Sequence, residues 1–414
     1  MSARQELTID GMMAELQALA QISEAEPPVV TRVVFSEADL RARAYVKGLC
    51  VEAGLTARED AIGNTFARWE GAEPGLAPVG TGSHIDAIPN AGLYDGCVGV
   101  LGGLEAIRVL KKLGFAPRRS IELVIFTAEE PTRFGIGCLG SRMMASVLSP
   151  QQARALRDKE GCGLEELRAR AGFAGTLESA ALKEGHFHQF VELHIEQGPL
   201  LEEAGIDLGL VTHIAAPASM RVVIEGEGGH AGGMLMPGRK DALAAAAEVI
   251  LAVERAAKTS GAVDTVGTVG VCDVFPGAVN SIPSRVKLEA DMRDIDAARR
   301  DGVMRALRDA CDDAAMRRGV TCMAEVINAD PPATCDETIL AAMEEAAKAA
   351  GRSYQRMVSR AYHDSLFMAR VAPVAMLFIP CRDGVSHRPD EYASPEWIGG
   401  GVHVLARTLA TLAS

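Results

Sequence analysis

The chain has 414 residues, enough for two domains with separate cores, and its 48% hydrophobic and 23% charged residues mark a globular rather than a disordered protein. A formal net charge of −13 argues against nucleic acid or an anionic membrane surface as partner, because phosphate surfaces repel an acidic protein. No window approaches the roughly 18 apolar residues of a membrane span. The opening Met1-Ser2-Ala3-Arg4-Gln5-Glu6 runs into polar sequence without the apolar core of a signal peptide.

Taken in chain order, residues 39–53 read as a helix ending at Gly54, and the segment through Ser83 as a buried strand. Residues 99–113 form a second helix, with Gly114 suited to its C-cap, and residues 120–127 the next strand. Residues 190–195 alternate, Val191, Leu193 and Ile195 on one face and Glu192, His194 and Glu196 on the other. Far downstream, residues 374–379 supply another apolar strand and 395–412 a closing helix. Strands alternating with helices predict an α/β fold, a mixed and mostly parallel sheet flanked by helices.

The interruption follows a different order. Strand 219–227, helix 241–258, strands 265–274 and 284–293, helix 296–318 and strand 321–327 make a β-α-β-β-α-β unit, the split ferredoxin-like pattern. Residues 211–217 and 329–333, Pro-containing and weakly patterned, read as its two connections. The expected organisation is therefore a catalytic domain in two parts, 1–213 and 330–414, with an α+β domain at 214–329 inserted between them.

The chemistry concentrates at predicted strand ends. Gly82-Ser83-His84-Ile85-Asp86 is followed by Tyr94-Asp95-Gly96 and then by Thr127-Ala128-Glu129-Glu130. Zinc-type metals take imidazole and carboxylate ligands on rigid elements with a position left for water, so this pattern predicts a metal-dependent hydrolase. His84 and Asp86 share one face of an extended segment, which lets Asp86 accept the second ring N–H of His84. Asp95 precedes a helix, where capping is the plain alternative to bridging two metals. Glu129 and Glu130 are either a solvated pair or a divided one, with one ligand and one base for a bound water. His194, flanked by Glu192 and Glu196, and His387, in a turn past the last strand, complete the candidates at the carboxyl ends of strands. His230 and His363 lie in Gly- or Asp-flanked contexts, while His186, His188, His213 and His403 receive no role. The nine cysteines are odd in number, scattered and free of any Cys-x-x-Cys pair, as expected of reduced thiols in the cytoplasm.

Six segments in collinear order resemble the amidases of the hydantoinase/carbamoylase family, within the dinuclear-zinc aminoacylase and carboxypeptidase class. They are GSHIDAIPNAGLYDG (82–96), FTAEEPTRFGIGCLGSR (126–142), ELHIEQGPLLE (192–202), GGHAGG (228–233), NSIPSRVKLEADMRD (280–294) and GVSHRPDE (384–391). The resemblance implies a zinc exopeptidase-like catalytic fold with a lid and dimerisation domain at the inserted unit, and hence a homodimer. It further implies two divalent metal ions per subunit, zinc first, with manganese, cobalt or nickel as alternatives. His84, Asp95 and His194 would hold one ion, and Asp95, Glu130 and His387 the other, with Asp86 behind His84. Glu129 would be the general base, and His230 the lid histidine that reaches the partner subunit's site and stabilises the oxyanion. Gln197, Asn280, Arg293 and His363 would contact substrate, Asn280 and Arg293 at its carboxylate.

The implied reaction is hydrolysis of the ureido bond of an N-carbamoyl-L-amino acid to amino acid, ammonia and carbon dioxide. Allantoate, ureidoglycolate and β-ureidopropionate share the ureido group and carboxylate and stay open as substrates. An aminoacylase or peptidase is the alternative reaction, against which His194 stands, since those relatives tend to carry a carboxylate there. A metal-stabilised binding protein is the non-catalytic alternative. One position departs from the family, which often has glycine where Tyr362 stands in Ala361-Tyr362-His363-Asp364. Tyr362 either contacts the pocket or packs in the core.

Overall fold

The computed structural model describes residues 9–414, so the Met1–Glu6 stretch read for a leader lies outside the described residues. By internal contacts the chain divides into two units. One comprises the chain up to Thr212 with Thr334–Met357 and His363–Ser414, and the other His213–Ala333 with Val358–Tyr362.

A nine-stranded mixed sheet organises the first unit. Its path runs Ala333–Thr334, Leu208–Ile214, Val374–Ile379, Gln189–Ile195, Val79–His84, Ile121–Phe126, Thr65–Trp69 and Thr56–Glu59, with Tyr354–Ser359 paired to Leu208–Ile214. The four central strands, from Val374–Ile379 to Ile121–Phe126, are mutually parallel. Every residue in those four strands is buried, as interior parallel strands require when helices cover both faces. The alternation of residues 190–195 therefore does not mark a solvated face, because Glu192 and His194 are buried as fully as Val191 and Leu193.

The helix Cys97–Lys112 packs beside Pro395–Leu412. Gly99 permits its close approach to the sheet, since a Cβ there would lie 2.2 Å from the carbonyl oxygen of Leu193. Residues 211–214, expected in a connection, belong instead to the strand Leu208–Ile214, antiparallel to Val374–Ile379. Its apolar residues Leu208, Leu210 and Val211 are buried, and Pro217 is the second residue of the next strand, Ala216–Glu225, rather than part of a loop.

The second unit has the β-α-β-β-α-β order. Its strands lie as Val266–Phe275, Arg285–Asp294, Ala216–Glu225 and Thr321–Ala329, all antiparallel. Met220, Val222 and Ile224 meet Val286, Leu288 and Met292 in one core with Val249 and Val253 of the helix Ala242–Lys258 and Val303 and Leu307 of Ala297–Arg318. Both helices start at an aspartate whose side chain accepts N–H groups of the first turn, Asp241 and Asp296. None of the described helices is long and apolar enough to cross a membrane.

Candidate metal centre and active site

The parallel strands deliver the site at their carboxyl ends, where open α/β sheets place ligands. His84 closes Val79–His84, Glu129 and Glu130 follow Ile121–Phe126, His194 sits next to last in Gln189–Ile195, and His387 lies beyond Val374–Ile379. His84 Nε2 is 3.4 Å and His194 Nε2 3.3 Å from Asp95 Oδ1. Asp95 Oδ2 is 3.5 Å from His387 Nε2, which is 3.1 Å from Glu130 Oε1. One aspartate thus presents an oxygen to each of two clusters, His84–Asp95–His194 and Asp95–Glu130–His387.

The donor set fits divalent metals. Ligands bound at 2.0–2.1 Å to a tetrahedral zinc stand about 3.3 Å apart, close to the spacing of these four pairs. The imidazoles are oriented for it. His84 Nδ1 lies 3.0 Å from the backbone carbonyl of Asp86, and His194 Nδ1 2.9 Å from that of Ile195. A carbonyl only accepts, so each Nδ1 keeps its hydrogen, and Nε2, facing Asp95, is the nitrogen with a lone pair for a metal, although in His194 it also accepts the Gly96 N–H at 3.1 Å. Gly96 leaves the room required. Its φ is +63°, and a Cβ there would lie 2.5 Å from His84 Nε2.

Asp95 does not cap the following helix, whose N-cap is Gly96 without a side-chain hydrogen bond. Asp86 does not take the His84 ring hydrogen either. Its Oδ1 is 3.7 Å from Nδ1, and its two oxygens instead accept the backbone N–H groups of Glu129 and Glu130 at 3.2 and 3.1 Å. The aspartate therefore fixes the carboxylate pair, while the carbonyl of the same residue fixes the imidazole.

Burial would raise Asp95, but His194 and His84 outweigh it and hold the carboxyl well below its ordinary range. Burial opposes charge on His84 as well, yet the surrounding Glu129, Asp95 and Asp86 raise it well above the usual imidazole value. Glu129 moves the other way from Asp95. Desolvation lifts it well above a normal glutamate, Glu130, Asp364 and Asp95 adding to the effect and His84 opposing it. Its Oε2 is 3.7 Å from His84 Nε2, and the Cys138 thiol lies 3.6 Å from Oε1. His387 is raised to about 9, first by its hydrogen bond to Glu130 and against burial. Two neighbouring carboxyls pushed apart in acidity are the arrangement expected when one binds a cation and the other moves protons.

Gln197 Nε2 donates to Asp95 Oδ2 at 2.7 Å, and its buried Oε1 has no partner among the described residues. The ring of His363 is buried edge-on to His194 and Phe378, with centroids 4.6 and 5.7 Å away. Other expected residues belong to the second unit. His230 Nδ1 accepts the N–H groups of Gly232 and Gly233 at 3.1 Å, which leaves the hydrogen on Nε2 of an exposed residue. Asn280 accepts the N–H of Ala231 through its backbone carbonyl. Arg293 Nε donates to Asp291 at 2.7 Å, and its guanidinium lies 5.8 Å over the ring of Tyr362. Tyr362 is thus a stacking partner of Arg293. Two residues around Asp95 went unassigned from the sequence, Ser386 and Glu391, which only their place in the 384–391 segment marks out.

Residues 80–411 match the peptidase family M20/M25/M40, and the chain belongs to that family. Ureidoglycolate hydrolase of Oryza sativa subsp. japonica is 52% identical over 410 residues, 97% of this chain and 84% of that one. A crystal structure of AtUAH in complex with (S)-hydroxyglycine superposes with a TM-score of 0.90 at 50% identity, over 100% of both chains. A hydantoinase/carbamoylase family amidase from Burkholderia multivorans gives 0.88 at 35% identity, over 99% of this chain and 98% of that one. Within its family the chain is an amidase of the hydantoinase/carbamoylase type, a hydrolase of linear amide C–N bonds.

Proposed function

We propose that the chain is a dinuclear-metal ureido-acid amidohydrolase with ureidoglycolate as its preferred substrate. The observation that carries the mechanism is Asp95 shared between two ligand clusters with Glu129 beside them. The choice of substrate rests on 52% identity to the rice ureidoglycolate hydrolase, maintained over nearly the whole chain. N-carbamoyl-L-amino acids are the second reading, favoured by the likeness to the Burkholderia amidase.

His84, Asp95 and His194 would hold one divalent ion and Asp95, Glu130 and His387 the other, zinc first, with manganese, cobalt or nickel suited to the same donors. When bound, the ions would polarise the scissile carbonyl and acidify the attacking water. Glu129 takes the proton of that water, a role supported by burial that raises its basicity. It returns the proton to the leaving nitrogen. The Nε2–H of His230 is a donor for the developing oxyanion, contributed by the partner subunit of a homodimer. Arg293 and Asn280 hold the substrate carboxylate, with Gln197 and His363 lining the ureido end. Segment 214–329 serves as lid and dimerisation domain, the rest as catalytic domain, and the nine free cysteines fit a cytoplasmic enzyme.

Water and ureidoglycolate would yield ammonia, carbon dioxide and hydroxyglycine. Ammonia release from metal-loaded protein across ureidoglycolate, allantoate, β-ureidopropionate and N-carbamoyl-L-amino acids tests the assignment. The highest kcat/KM is expected for ureidoglycolate. Faster turnover of an N-carbamoyl-L-amino acid would move the assignment to the second reading, and no ammonia from any of them would end both.

A further inference from the structure

The Asp95 loop and the His387 loop come from residues almost three hundred positions apart, yet the second cluster needs both. Glu391 joins them. The residue is 4% exposed, and its Oε1 accepts the backbone N–H groups of Tyr94 at 2.8 Å and Asp95 at 3.0 Å. Its Oε2 lies 2.9 Å from the Ser386 hydroxyl, which is itself 2.5 Å from Asp95 Oδ2. The backbone N–H of Glu391 donates to the carbonyl of Arg388, closing the turn that directly follows His387. The chain makes room for it, because a Cβ on Gly92 would lie 2.4 Å from Glu391 Cβ.

A buried carboxylate holding two successive amides fixes the backbone on which the shared aspartate stands. Through Ser386 it also reaches that aspartate's outer oxygen, the one facing His387 and Glu130. The geometry points to Glu391 as a positioning residue of the metal centre, acting with Ser386 to hold the Asp95 and His387 loops at ligand spacing. Glu391 touches neither metal nor substrate in this role. The inference rests on the reading that the two clusters hold metal.

The test is a calorimetric titration of the metal-free full-length protein with zinc, for wild type, Glu391→Ala, Glu391→Gln and Ser386→Ala, alongside thermal unfolding of each metal-free form. Wild type should take up two ions. Glu391→Ala should weaken at least one of them by about 10- to 100-fold, the usual consequence of removing a residue that orients a ligand. Glu391→Gln keeps an acceptor for the two amides and should recover most of that affinity. Ser386→Ala, in a partly exposed turn, should weaken binding by about 2- to 10-fold, as expected from one lost hydrogen bond, with unfolding unchanged. Zinc affinities within twofold of wild type in Glu391→Ala and Ser386→Ala would overturn the positioning role while leaving the metal reading intact. Equal losses in Glu391→Ala and Glu391→Gln would overturn it as well. A wild type that binds no zinc or other divalent ion would overturn both.

Discussion

Glu129 stands one residue after Ala128, whose φ of +54° is a left-handed turn that a non-glycine side chain adopts only under constraint. The carboxylate of Asp86 holds the amides on the far side of that turn. Replacing Glu129 by Gln keeps the shape and removes the proposed base, so kcat should fall by about 100- to 10,000-fold with metal content unchanged. Metal analysis and ammonia release on one preparation check this, and wild-type turnover in the variant would discard Glu129 as the base. The identities of these polar residues were legible from their order along the chain, but their hydrogen bonds were not. An i, i+2 spacing placed Asp86 beside His84, while the choice of backbone amides over imidazole depends on where the 121–126 strand brings the Glu129 turn.

Helices and strands set two further tests. Ala at Gly99 would gain about 1 kcal/mol of helix propensity. The new Cβ would meet the Leu193 carbonyl, part of a central strand that cannot swing aside, and overpacking costs about 1–3 kcal/mol or more. Gly99→Ala should therefore be net destabilising in chemical denaturation. Gly48, inside Glu37–Glu52 with nothing within 4 Å of its Cβ position, is the control, and Gly48→Ala should stabilise by up to about 1 kcal/mol. In the second unit, burial would raise Asp294, but hydrogen bonds from Arg299 and Thr265 prevail and hold it below the ordinary carboxylate range. A depressed folded value stabilises at pH above the unfolded value, about 3.9, and that stability is lost as pH falls through the folded value. Asp294→Asn should cost about 1–3 kcal/mol near neutrality, and the gap to wild type should close in acid. A gap independent of pH would show that the carboxylate charge plays no part.

At the scale of the whole molecule, the proposed dimer makes a prediction that neither subunit alone can meet. Glu129→Gln and His230→Ala should each be nearly inactive. If His230 serves the partner subunit's site, a mixed dimer contains one site with both residues intact. Random reassembly of equal amounts should then restore about a quarter of wild-type activity, since half the dimers are mixed and half their sites are whole. Mixtures no more active than the separate variants would place His230 outside the partner's site.

By itself the amino-acid order determined the alternation of strands and helices, the β-α-β-β-α-β unit and the placement of candidate ligands after apolar runs. These are local matters of periodicity, capping and strand length. Residues 211–214 escaped such reading because a strand is defined by its neighbour, here Val374–Ile379, more than by its own pattern. The helix Glu337–Ala350, capped by the side chain of Asp336, was not among the elements expected from the sequence. Tertiary structure alone decided that the alternating 189–195 strand is buried on both faces, that Asp95 divides its oxygens between two clusters, and that Glu391 supports it from across the chain. The reason is physical: distance along the chain sets no distance in space until parallel strands align in register, and only then do separate carboxylates and imidazoles come within ligand spacing of one another.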